Sequence, residues 1–489
     1  MEPKNVWNKY NHKETKAAMD FAEDYKSFLS AAKTEREAVD EIVNLIEKEG
    51  YVELERAIEK GKKLKAGDKV YAVQMNKAVC MFRIGKKPMA EGLNILGAHI
   101  DSPRMDVKQN PLLERSNIAY LDTHYYGGIK KYQWVAIPLA LHGVIAKKDG
   151  SIVELRLGED EDDPVFFVSD LLIHLAGKQL EKKGAEVVEG ELLDLIVGNK
   201  PIVVEPEKDG SKKKGKAKEK PEEEKDVKEA VKKGILDILK RDYGMEEEDF
   251  ISAELEIVPA GKARDAGFDR SMVLGYGHDD KVCAYPSVIA MLKAGVPERT
   301  HCCLLVDKEE IGSVGATGMR SHFFENALAE IMNLKGEYSE LNVRRCLAGS
   351  MMLSSDVSAA YDPNYWPMFE KNSSCYMGCG LVFNKFTGSR GKTGSNDANA
   401  EYIAHLRKIM DDAGVAYQTA ELGRVDAGGG GTIAYILALY GMNVIDSGVP
   451  VLNMHAPWEA ISKADLYESL KGYVAFLEHA GEKADRLSK

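Results

Sequence analysis

Cys302-Cys303-Leu304-Leu305-Val306-Asp307-Lys308-Glu309-Glu310-Ile311-Gly312-Ser313 carries an apolar segment straight into a group of carboxylates. Cys302 to Val306 reads as a buried strand, and Gly312 and Gly315 break the pattern after it. Carboxylates at the end of a buried strand need a partner, because unpaired buried charge is costly. A metal ion is one such partner: one carboxylate ligates it and its neighbour stays free to accept a proton. A solvated strand end is the commoner fate of a Glu-Glu pair. Glu309 and Glu310 therefore gain meaning only from what lies at other strand ends.

Those ends repeat the form. Leu93 to Pro103 reads as a buried strand running into a turn, with His99 and Asp101 two apart and so on one side of extended backbone. That spacing lets the carboxylate hold the imidazole in one tautomer. Gly277-His278-Asp279-Asp280-Lys281 leads into a helical stretch, Val282 to Leu292; Ser350 to Asp356 is a strand ending in a carboxylate; Val449 to Pro457 contains a short strand ending at His455. His99, Asp279, Glu310, Asp356 and His455 thus fall at or near strand ends, the edge where open α/β sheets form their sites. Two histidines and three carboxylates suit two divalent ions that share a bridging carboxylate, a pairing that recurs in aminopeptidases and phosphatases. Glu309 is then placed to take a proton from the attacking water and pass it to a leaving amine.

The 489 residues are too many for one compact core, so two domains or more are expected. From Ser252 onward strands and helices alternate, which predicts an α/β domain with a mostly parallel central sheet flanked by helices. Residues 13 to 48 read as helix, and Asp106 to Ile251 changes character to strand-like segments (Ile118–Leu121, Trp134–Leu141, Ile152–Leu157, Pro164–Val168) followed by a helix, Asp170 to Leu180. That region splits the catalytic domain, expected over 1–105 and 253–489, with an insertion over 106–252. Within it, Pro206 to Ala230 is dense in Lys, Glu and Gly and reads as a mobile surface loop. A net charge of -12 argues against nucleic-acid binding. No stretch approaches a membrane span or a signal peptide, and the scattered cysteines fit free thiols in a reducing cytoplasm. Gly388 to Gly394 looks like a phosphate loop, but Phe386 stands where that pattern needs glycine. The glycine run around Gly429 precedes a helix expected near Thr432, so its amides are placed to hold an anion such as a substrate carbonyl or carboxylate.

The ordered set resembles the aspartyl aminopeptidase family, which includes vacuolar aminopeptidase I. Its matching segments are Gly97-Ala98-His99-Ile100-Asp101-Ser102-Pro103, Asp279-Asp280, Asp307 to Ser313, Ser355-Asp356-Val357-Ser358, Pro363-Asn364-Tyr365 and Met454-His455. The resemblance spans nearly the whole chain. It implies that His99 and Asp356 hold one metal, Glu310 and His455 the other, and Asp279 bridges them. Asp101 would orient His99 and Glu309 would be the general base. The ions would be zinc first, with manganese or cobalt acceptable to such a site. The substrate would be a peptide with a free N-terminus. The inserted, β-rich domain would build dimers that assemble into a tetrahedral dodecamer, and His174, in Asp170-Leu171-Leu172-Ile173-His174-Leu175, would reach a neighbour's site. Lys385 would match the family lysine that meets an acidic side chain. Two departures stand out. Asp279-Asp280 replaces the usual Asp-Asn, at a peptide expected to be cis. Asp426-Ala427-Gly428-Gly429-Gly430-Gly431-Thr432 replaces a polar loop, which bears on acidic specificity. The rival readings are another two-metal amide hydrolase, a carboxypeptidase or deacylase, and a non-catalytic assembly on a peptidase fold.

Overall fold

The computed structural model describes residues 4–202, 228–388 and 391–481. Two compact units divide the chain. The first comprises Met1–Pro103, Gly127–Ile129 and Gly261–Lys489; the second comprises Arg104–Tyr126 and Lys130–Ala260.

The first unit is built on a nine-stranded sheet. In spatial order its strands are Val52–Glu53, Lys69–Gln74, Ala78–Arg83, His301–Val306, Asn94–His99, Met351–Ser355, Asn443–Gly448, Leu381–Asn384 and Tyr417–Thr419. The four central strands from His301–Val306 to Asn443–Gly448 pair in parallel. Continuous burial of His301–Val306, Asn94–His99 and Met351–Ser355 explains why their interiors are mostly apolar rather than alternating, because helices cover both faces. On one face the core includes Phe21, Ile42, Met291, Leu406 and Phe476; on the other it includes Leu54, Phe324, Leu328, Leu347 and Leu437. Parallel strands deliver their carboxyl ends to one edge, and His99, Asp307 and Asp356 lie at or just beyond those ends. A smaller five-stranded sheet in the same unit contains Glu459–Ser462 between Met272–Gly275 and Pro450–Leu452.

The second unit is a six-stranded antiparallel sheet in the order Ile152–Leu157, Leu139–Ala146, Ala253–Pro259, Arg104–Arg115, Ile118–Tyr126, Leu195–Gly198. Ala253–Pro259 pairs with both Leu139–Ala146 and Arg104–Arg115, so it belongs to this sheet.

Several local expectations are corrected. The helix read over 13–48 is two helices, His12–Ala31 and Glu35–Lys48. Thr34 ends the continuity because its hydroxyl accepts the Glu37 N–H while Glu37 reaches back, a capping box that starts a new helix. The helix read over Asp170–Leu180 is a 3-10 turn at Ile173–Leu175 and one short helix, Gly177–Leu180. Pro164–Val168 makes only isolated bridges through Phe166 and Phe167. The strand read from Trp134 starts at Leu139, after Pro138. The loop expected over 206–230 lies outside the described residues except for 228–230, of which Ala230 opens the helix Ala230–Tyr243.

Candidate metal centre

His99 ends its strand fully buried. Its Nδ1 lies 3.1 Å from the Asp101 carbonyl oxygen and 3.3 Å from Asp101 Oδ1, while its Nε2 faces Asp279 Oδ1 at 3.1 Å and Asp356 Oδ1 at 3.9 Å. Asp101 does more than orient this ring. Its two oxygens accept the N–H groups of Glu309 (3.1 Å) and Glu310 (3.2 Å), which ties the His99 strand to the Glu-Glu turn. That turn is a 3-10 segment, Glu309–Ile311, entered through Lys308 in left-handed conformation. Asp307 is turned away from the donors and accepts from the Thr317 hydroxyl at 2.6 Å.

His455 closes the opposite side. Its Nδ1 donates to the Gly128 carbonyl at 2.8 Å, which leaves Nε2 aimed at Asp279 Oδ2 (3.3 Å) and Glu310 Oε2 (3.5 Å). Asp279 therefore offers one oxygen to each histidine. Its peptide to Asp280 is cis, as the resemblance implies. Asp356 follows Met351–Ser355, and its carbonyl crosses Gly448 so closely that a Cβ there would meet the oxygen at 1.7 Å. Gly448 thus admits the turn that brings Asp356 to the edge.

The donor atoms converge as three groups: His99, Asp279 and Asp356; Asp279, Glu310 and His455; and His99, Glu309 and Glu310, with the atoms of each group within 4.8 Å of one another. The first two groups share Asp279. Electrostatics show what the cluster demands. Burial raises Glu310 and Asp356 well above the usual carboxylate range, and the charge of Asp279 adds to both. Burial likewise lifts Glu309 to about 7. Burial opposes charge on His455, yet Asp279 and Glu310 raise it to about 10. Burial opposes ionisation of Asp279 too, but the His455 and His99 contacts hold it below the ordinary range. Glu310 Oε1 is buried with no hydrogen-bond partner. Crowded carboxylates with an orphaned oxygen and two correctly turned imidazoles fit divalent cations. A divalent cation held beside Glu309 would act against the burial effect and favour its carboxylate form.

A cavity of about 510 Å³ opens over the cluster, lined by Glu309, Asp356, Asn384, Gly429, Tyr435 and His455 among others. Gly429 lies in this wall, but the helix beyond it is only Ala434–Ala438, shorter than the one expected from Thr432. Lys385 is not among the lining residues; its half-exposed ammonium pairs with Asp397. His174 is exposed in the second unit. Sequence reasoning missed Gly128, Ser102, Lys281 and Glu459. Ser102 donates to the Asp279 carbonyl at 2.8 Å and accepts from the buried Lys281 Nζ at 2.7 Å. Glu459 accepts from two site amides and is pushed by burial to about 8. Glu459 carried a signal, an acid four residues past His455, but spacing alone does not show where its oxygens go.

A parallel-sheet edge bearing paired carboxylate-histidine groups defines the chain as an α/β metalloenzyme. Comparison with known proteins gives the family. The family described as aminopeptidase I zinc metalloprotease (M18) matches residues 28–477. A relative named probable M18 family aminopeptidase 1, from Clostridium acetobutylicum, is 58% identical over 478 residues, covering 98% of each chain. The solved aminopeptidase I of that organism matches with a TM-score of 0.87 at 56% identity over 98% of this chain and 99% of that one. The M18 aminopeptidase structure from Thermotoga maritima matches at 0.89 and 42% identity, over 98% and 100%. A more distant structure, the mApe1 dodecamer of S. cerevisiae, shares the fold with a TM-score of 0.74 at 19% identity, over 96% and 99%. The chain belongs to the M18 family and is a metal-dependent aminopeptidase.

Proposed function

We propose that the protein removes N-terminal residues from peptides at a centre of two divalent ions, with His99 and Asp356 on one ion, Glu310 and His455 on the other, and Asp279 between them. The observation that carries this reading is the Asp279 carboxylate, one oxygen turned to each histidine, shared by two three-residue donor groups. Zinc is the expected metal, from the family's description. Bound there, the ions would supply Lewis acidity to polarise the scissile carbonyl and lower the pKa of the attacking water. Glu309 takes the proton from that water as its oxygen bonds to the carbonyl carbon. When the C–N bond breaks, the Glu309 carboxyl gives the proton to the leaving amine nitrogen. Asp101 keeps the Glu309 and Glu310 amides in register during both transfers. Gly128 keeps His455 in the tautomer whose Nε2 lone pair faces the donors.

The test is an assay of metal-stripped protein reloaded with zinc, manganese or cobalt, on aminoacyl-anilides of Asp, Glu, Leu and Lys and on their N-acylated counterparts. Restored cleavage supports the reading; cleavage only of N-acyl substrates moves it to a deacylase. Lys385 pairs with Asp397 and lies off the cavity wall, so we expect no strong preference for Asp or Glu over Leu. His455→Ala is expected to lose one metal equivalent by elemental analysis, and two retained equivalents would refute the ligand assignment.

The second unit is the proposed assembly module. Leu172, Ile173 and Leu175 are 54%, 69% and 69% exposed beside His174, an apolar surface that a second copy would cover. This is in keeping with the dodecamer that the S. cerevisiae neighbour forms. Leu172→Asp with Ile173→Asp should shift the sedimentation coefficient towards smaller species while the far-ultraviolet spectrum stays unchanged. An unaltered sedimentation profile removes this surface from the assembly.

A further inference from the structure

Glu459 is 1% exposed and stands at the start of the strand Glu459–Ser462, just past the turn that carries His455. Its oxygens reach two different segments. Oε1 accepts the His455 N–H at 2.8 Å, and Oε2 accepts the Asp279 N–H at 3.1 Å. Both recipients have backbone that regular structure would not hold. His455 is left-handed at φ +64°, costly for a side chain with a Cβ, and Asp279 departs from helical angles at φ -76°, ψ 105° inside the first turn of its helix. The carbonyl of the same residue, in the next peptide group, accepts from the Ser102 hydroxyl, which itself accepts from Lys281. A carboxylate that merely satisfied stray amides needs no relation between them. These two amides belong to the residues whose side chains meet at 3.3 Å.

We infer that Glu459 is a positioning residue, which sets the spacing of Asp279 and His455 by holding both backbone amides with one carboxylate so that their side chains meet a single cation. This rests on the two-ion reading above. Glutamine at this position keeps the shape but offers only one acceptor oxygen, so one brace is lost while the fold is retained. An outer partner of a ligand typically sets ~10–100-fold in metal affinity.

The experiment compares wild type, Glu459→Gln and His455→Ala, each stripped and titrated with zinc against a competing chelator, then loaded with cobalt for its visible absorption. With the melting temperature of the metal-free protein near wild type, Glu459→Gln should weaken one of two zinc equivalents ~10–100-fold. It should also shift the cobalt bands, and lower kcat on a leucyl-anilide with KM little changed. A purely structural role moves the melting temperature and leaves the cobalt spectrum alone. Two equivalents at wild-type affinity with an unchanged spectrum overturn the inference and leave the two-ion reading standing. Wild type that takes up neither metal, or His455→Ala that keeps both equivalents, overturns the two-ion reading instead. Should Glu459→Gln fail to fold, Glu459→Asp is read the same way, since a side chain one methylene shorter cannot reach both amides.

Discussion

Glu309→Gln should cut kcat by ~10²–10⁴-fold, the usual contribution of a positioned general base. That corresponds to about 3–5 kcal/mol of lost transition-state stabilisation. The amide preserves the shape of the side chain and the backbone N–H that Asp101 holds, but it cannot take a proton at neutral pH. KM should change little, because the loss falls on the transition state rather than on binding. Zinc content should stay at the wild-type value, because the two donor groups that share Asp279 do not include Glu309. Steady-state kinetics with elemental analysis on the same sample decide the matter. A kcat within threefold of wild type removes Glu309 as the base. A large loss of zinc places it among the ligands, the role the third donor group of His99, Glu309 and Glu310 would allow.

Asp279→Asn should disable both ions at once. The carboxylate faces His99 Nε2 at 3.1 Å and His455 Nε2 at 3.3 Å, one oxygen to each. An amide keeps one oxygen, replaces the other with a donor that repels a cation, and removes the charge that offsets two positive ions. The loss should exceed the ~10–100-fold that follows removal of an outer partner, because Asn acts on the inner contact. Titration of the stripped variant should show no tight zinc equivalent and activity near background even with excess metal. Two tight equivalents in this variant would show that Asp279 is not the bridge. His455→Ala is the milder counterpart, since His99 and Asp356 remain on the other side.

The alternation of strand and helix from the helix His278–Lys293 onward, and the acids and histidines at strand ends, were legible because both follow local rules, whereas Ala253–Pro259 pairs into the second unit's antiparallel sheet. A buried parallel strand must be apolar throughout, and polar residues at its carboxyl end have few reasons to be there. His99-x-Asp101, Glu309-Glu310, Asp356 and His455 could be named from those rules alone. Boundaries were less legible where a side chain overrides the period. Thr34 splits a continuous helical pattern by capping, and the apolar stretch Leu171–Leu175 is an exposed turn segment rather than a helix face.

By itself the sequence determined the mostly parallel sheet and the candidate donors at its carboxyl edge, since each is encoded in a stretch of a few residues. Only the tertiary structure decided how the donors are held. Asp101 reaches across to the Glu309 and Glu310 amides, Gly128 sets the His455 tautomer, and Glu459 joins Asp279 to His455. It also pairs Lys385 with Asp397. These contacts join residues far apart in the chain. Hydrogen bonds of 2.8–3.2 Å depend on where separate segments pack, which no local pattern of residues specifies.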